Sequence, residues 1–179
     1  SQDFVKQYLG TIARIPVGVG KDDLSIASIN LKDQFIFNIT GEDVTAEPRF
    51  LKGIINNILT INNSECIIFD TNSILNDFQK ENVTYTTGDC KTAIEKLNAS
   101  YTENNPEKTT FCMLMGINAL LGKLDATEKT DFTTLITNCK QNNNIKFILV
   151  DTIDVIKSIN FEPWYQGNAD LSEGIWKIC

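Results

Sequence analysis

Histidine does not occur in this sequence of 179 residues. That absence alone removes Ser-His-Asp and Cys-His catalysis, together with the commonest zinc ligand. Arginine is almost missing too, with Arg14 and Arg49 the only two. At a formal net charge of −7 and a pI near 4.6, no basic stripe is available to displace counterions, so no nucleic-acid partner is expected. The longest apolar runs, such as 147–150, are far too short to cross a bilayer. Five cysteines, at 66, 90, 112, 139 and 179, show no C-x-x-C spacing. An odd, scattered count suits free thiols in a reducing compartment, and no metal site is expected.

What remains is an ordinary globular composition, 42% hydrophobic and 22% charged, in a chain long enough to bury one core. Apolar runs at 34–39, 66–70, 111–115 and 146–150 read as buried strands. Between them Phe50, Leu51, Ile54, Ile55 and Ile58 recur at helical spacing, with Pro48 suited to the first helical turn. Asp89 is placed to cap a helix through Ala93, Ile94 and Leu97, and a further helix is expected around Phe132, Leu135, Ile136 and Cys139. The first thirty residues read as a turn-rich opening followed by alternation from Ile26 to Leu31. The closing Gly174–Cys179 reads as a strand. Continuous apolar strands alternating with helices imply an α/β domain with a parallel sheet covered on both faces.

The strand at 34–39 is followed by Gly41 and then by the Pro48 helix, the layout of a phosphate-binding loop. A working G-x-x-x-x-G-K-[ST] loop wraps phosphate with backbone amides, neutralises it with lysine and holds Mg²⁺ through the hydroxyl. Registered on Gly41, the frame puts Ala46 at the second glycine, Glu47 at the lysine and Pro48 at the hydroxyl. A second register, on Thr40 and Gly41, puts Val44 at the lysine and Thr45 at the hydroxyl. Neither supplies a lysine. A carboxylate about 4 Å from a phosphate charge costs roughly 4 kcal/mol at an effective dielectric near 20. In a nucleotide motor a strand beside the loop strand ends in one or two acids that position Mg²⁺ and water. Phe111–Met115 has the apolar character and the following helix, but Met115 and Gly116 stand where the acids belong. Asp70 ends an apolar strand whose early position suits the second strand of such a fold.

The order RIPVGVGKDDL, FIFNITGEDVTAEPRFLKGIINNIL, CIIFDT, FCMLMGINALL and FILVDTIDVIKSINFEPWYQGNADLSEGIW resembles the FtsK/SpoIIIE-type ATPase modules of the type VII secretion coupling protein, the EssC/EccC family. The similarity spans nearly the whole chain. Its most specific parts are Pro16-Val17-Gly18 and the segment around Trp164, Tyr165 and Trp176. The resemblance implies a P-loop NTPase-like fold, of RecA/FtsK type. It also implies a cytoplasmic setting within a membrane-anchored, multi-module bacterial protein that assembles as hexamers and recognises secreted WXG- and LXG-type substrates. Residues 1–179 are thus expected to be one degenerate module of a longer chain, in contact with neighbouring modules.

Carry-over of catalytic residues fails at Glu47, Pro48, Met115 and Gly116. No catalytic residue and no cofactor is therefore expected, and the leading reading is an inactive module acting through protein contacts. In the alternative, the module binds ATP and Mg²⁺ through atypical residues and hydrolyses slowly. Met115, at the floor of the crevice beyond the strands, and the aromatic pair Trp164 and Tyr165 are the candidate partner-binding residues.

Overall fold

The structure is a computed structural model that describes the backbone over residues 14–19, 26–30, 34–41, 48–142 and 144–176. Of the first thirty residues, 14–19 and 26–30 are described, and they form an antiparallel strand pair rather than a turn-rich opening. In it β1 (Arg14–Val19) pairs antiparallel with β2 (Ile26–Asn30), with a register irregularity between Pro16 and Gly18. The other strands are β3 (Ile36–Gly41), β4 (Ser64–Asp70), β5 (Val83–Thr86), β6 (Thr109–Met115), β7 (Ile145–Thr152) and β8 (Ala169–Trp176). They form one sheet in the order β5-β4-β6-β7-β3-β8, and every pairing in it is parallel.

Side chains alternate across this sheet, so each strand feeds two cores. On one face Phe37, Ile39, Ile68, Met113, Met115 and Val150 meet Leu51, Ile54, Ile55 and Ile58 of α1 (Pro48–Ile58). The strand pair lies against α1 as well. The opposite face carries Phe69, Leu114, Phe147 and Leu149. It is covered by α2 (Lys91–Glu103), α3 (Ile117–Gly122), α4 (Ala126–Cys139) and α5 (Ile153–Ile159). The expected α/β fold, a parallel sheet with helices on both faces, is the fold observed.

Two local expectations need correction. β6 does not lie beside β3: β7 is inserted between them, and β8 takes the other side of β3. Asp89 does not cap α2 at the N-cap position, which Cys90 occupies without a side-chain capping bond. Its Oδ1 accepts instead from the Lys91 amide at 2.9 Å.

Candidate functional site

In open parallel sheets ligands sit beyond the carboxyl ends of the strands, so these ends are where the phosphate-loop frame must be judged. Gly41 is the last residue of β3, in register with Thr152 of β7, and Pro48 opens α1. Ala46 and Glu47 of the first register lie outside the described residues, as do Val44 and Thr45 of the second.

Met115 ends β6, and Gly116 follows it as the N-cap of α3. Gly116 has φ +77°, a left-handed conformation that penalises any side chain. A Cβ at this position would also lie 2.9 Å from Asn72 Nδ2. Met115 points into the α1-side core and is fully buried. Neither position offers a carboxylate a place to stand.

Two aspartates do reach this edge, from β4 and β7, and both are already engaged. Asp70 is fully buried, and its Oδ1 accepts from the Ile74 amide at 2.8 Å. Its Oδ2 accepts from the Leu75 amide and from the Tyr85 hydroxyl, each at 2.8 Å. Burial and the hydrogen bond to Asp70 push the Tyr85 phenol well above its ordinary value. Asp151, in register with Thr40, accepts through Oδ2 from the Ile117 amide at 2.8 Å and through Oδ1 from the Thr152 amide at 2.9 Å. Burial raises the Asp151 carboxyl despite those two bonds. The sequence reading overlooked Asp151; its signal was the Asp-Thr pair closing the run at 147–150.

Asp70 and Asp151 lie on opposite faces of the sheet, with Leu75 beside one and Ile117 beside the other. Among the described residues no group of three or more Cys, Asp or Glu side chains is placed to hold a metal ion. Thr40 is buried beside Asp151, and its hydroxyl has no partner among the described residues.

The three candidate partner-binding side chains are interior. Met115, Trp164 and Tyr165 are 0%, 3% and 1% exposed. Trp164 and Tyr165 stack edge to face at 5.7 Å, and the Tyr165 hydroxyl donates to Asn38 Oδ1 at 3.2 Å inside β3. Trp164 and Tyr165 pack the turn after α5 into the core on that face of the sheet, whereas Met115 sits in the α1-side core. The four described cysteines are buried as well, and burial pushes Cys66 and Cys139 up to about 12. They stay protonated and unreactive at neutral pH.

A sizeable concavity lies elsewhere, between α2 and α4, with a volume of about 630 Å³. Ile94, Leu124, Phe132 and Leu135 line it, and acids stand at its rim. Periodicity hid it, because the stripes that face it mix apolar and charged residues.

The same chain path occurs in solved structures. EccC of Thermomonospora curvata (ATPases 2 and 3, in complex with a signal sequence peptide) superposes with a TM-score of 0.62. The identity is 16%, over 86% of this chain and 31% of that one. EssC (ATPases 2 and 3) from Geobacillus thermodenitrificans gives 0.64 at 12% identity, over 92% of this chain and 35% of that one. The pCW3 conjugation coupling protein TcpA, in a monomer form with ATPγS, gives 0.63 at 12% identity over 90% and 54%. The fold is that of the EccC and EssC ATPase modules. The chain spans about a third of the EccC and EssC chains, 31% and 35% of their lengths. No family model matches the sequence, and no curated protein matches it. No helix among the described residues is long and apolar enough to cross a membrane.

Proposed function

We propose that this chain is a non-hydrolysing ATPase-like module of a type VII secretion machine, working by contact with secreted substrates and with neighbouring modules. The observation that carries the reading is the state of the carboxyl edge. The described acids there, Asp70 and Asp151, are consumed by backbone amides, and Gly116 cannot be replaced by an acid without strain. Glu47 in place of lysine adds repulsion to a phosphate rather than attraction. The EccC structure with its bound signal-sequence peptide supports substrate contact as the remaining task of such a module. In the same reading the module faces the cytoplasm within a membrane-anchored coupling protein that assembles as hexamers, and its substrates are small WXG- and LXG-type proteins.

The test is ATP turnover together with nucleotide-dependent thermal stability. Neither turnover nor a saturable shift is expected. A ligand at a hundred times its dissociation constant adds about 2.7 kcal/mol, so a shift of that size would overturn the reading. The second reading, slow hydrolysis through atypical residues, draws on the Thr40 hydroxyl beside Asp151, which has no partner among the described residues, and on the ATPγS form of TcpA. Turnover lost in Thr45→Ala would select it.

A further inference from the structure

We propose that the groove between α2 and α4 is a docking site for an amphipathic helix whose apolar stripe is flanked by lysine or arginine. The proposal rests on the reading that the module works by protein contact. Both helices follow parallel crossovers, so they run side by side from the carboxyl edge of the sheet to its amino edge. Ile94, Glu95 and Asn98 of α2 face the gap, and Asp131, Phe132 and Leu135 of α4 face it with the same spacing. Two helical stripes with a common period present what a third helix reads with anchors at i, i+3, i+4 and i+7. At about 630 Å³ the gap has room for several such side chains. Its floor is apolar: Phe132 and Leu135 are buried, and Ile94 and Leu124 remain half-buried with nothing over them among the described residues.

Charge sets the flanks of the partner. Four acids line the groove (Asp89, Glu95, Glu128 and Asp131) against two lysines. Lys123 Nζ donates to the Thr87 and Gly88 carbonyls at 3.0 and 3.4 Å, which ties the α3–α4 turn to the loop before α2. Glu128 is partly engaged in the capping box with Asp125, and Asp89 in its bond to the Lys91 amide. Among the described residues Glu95 and Asp131 make no such bond and form no ion pair, although they stand on facing helices. Cations on an incoming helix answer both carboxylates, while an acidic helix meets repulsion from both.

The experiment uses the full chain and two synthetic amphipathic peptides with leucine at i, i+3, i+4 and i+7, one filled with lysine and one with glutamate. Calorimetric titration is expected to favour the lysine peptide by about tenfold or more. Glu95→Lys with Asp131→Lys should reverse that preference, while reversal of two exposed acids outside the groove, Glu81 and Asp154, should not. Hydrogen exchange should show protection on α2 and α4. Equal affinity for the two peptides overturns the proposal. So does an unchanged preference in the groove variant, an equal effect of the control pair, or protection on another face. Circular dichroism establishes that each variant is folded. ATP turnover by the unmodified chain would sink the non-hydrolysing reading whatever the peptides do; a negative peptide result with no turnover sinks the groove alone.

Discussion

At the amino edge of the sheet Glu65, in β4, meets two lysines, whereas at the carboxyl edge Asp70 ends the same strand with no ion pair among the described residues. Glu65 Oε1 accepts from the Ser100 and Thr110 hydroxyls at 2.7 and 2.8 Å. Its Oε2 stands 3.2 Å from Lys96 and 3.1 Å from Lys108. Asp70 and Asp151 are answered by backbone amides and, for Asp70, one phenol. A nucleotide needs cations at the carboxyl edge, and the lysines that bind a buried carboxylate are at the other one. The same strand thus ends in carboxylates held in two different ways, by lysines and hydroxyls at one edge and by backbone amides with one phenol at the other.

The largest expected effect comes from removing the acceptor at the end of β4. Asp70→Ala leaves the buried Leu75 amide and the part-buried Ile74 amide and Tyr85 hydroxyl without their acceptor. At about 1–3 kcal/mol for a buried donor left unpaired, and less for the two that water can reach, a loss of about 3 kcal/mol is expected in urea unfolding. A loss below about 1 kcal/mol would mean that the carboxylate is not holding the edge together.

Next in size is an attempt to rebuild a motor. Gly116→Asp places a side chain at φ +77° and against Asn72, for a cost of about 2 kcal/mol. Combined with Glu47→Lys and Pro48→Thr, it should give a less stable protein that still lacks ATP turnover. Robust turnover would show that the strain at Gly116 is tolerable and that this edge can carry a nucleotide site.

At the amino edge Glu65→Gln should cost about 1–2 kcal/mol, because a neutral amide answers the two lysines poorly. Burial pushes Glu65 up, but the Ser100 and Thr110 hydroxyls and the two lysines together hold it below its ordinary 4.5. A lowered carboxyl contributes stability that is complete above 4.5 and is lost as pH falls through the folded value. The Gln variant should therefore lose less than the parent on acidification, measured as unfolding midpoint against pH.

Much of this architecture was legible in the sequence because β3, β4, β6 and β7 are buried along almost their whole length and read as apolar runs. By contrast β5, Val83–Thr86, is four residues long, only half-buried and mostly polar, so no run announces it. β1 was misread because Pro16 and Gly18 signal turns, and here they flank a strand irregularity. The candidate site was legible only as a list of missing groups. That Met115, Trp164 and Tyr165 face inward, and that β7 separates β6 from β3, depends on strand order, which no local pattern encodes. Asp151 was hidden for a related reason, since its partner Ile117 lies 34 residues away.

The smallest expected effect sharpens the comparison most, because its sign is opposite to that at Glu65. Asp151 is raised above its ordinary 3.8, burial outweighing the bonds from the Ile117 and Thr152 amides. A raised carboxyl binds its proton more tightly in the folded chain than in the unfolded one. Its contribution to stability is therefore most favourable below 3.8 and declines as pH rises through the folded value. Asp151→Asn removes the charged form. The amide oxygen can still accept from one of the two backbone donors, so stability at neutral pH should stay within about 1 kcal/mol of the parent. Measured across acidic to neutral pH, the stability of the parent relative to this variant should fall as pH rises, while parent relative to Glu65→Gln should climb. A parent that gains on Asp151→Asn with rising pH would mean that its two amide bonds outweigh burial, and the two edges of the sheet would then hold their carboxylates in the same way.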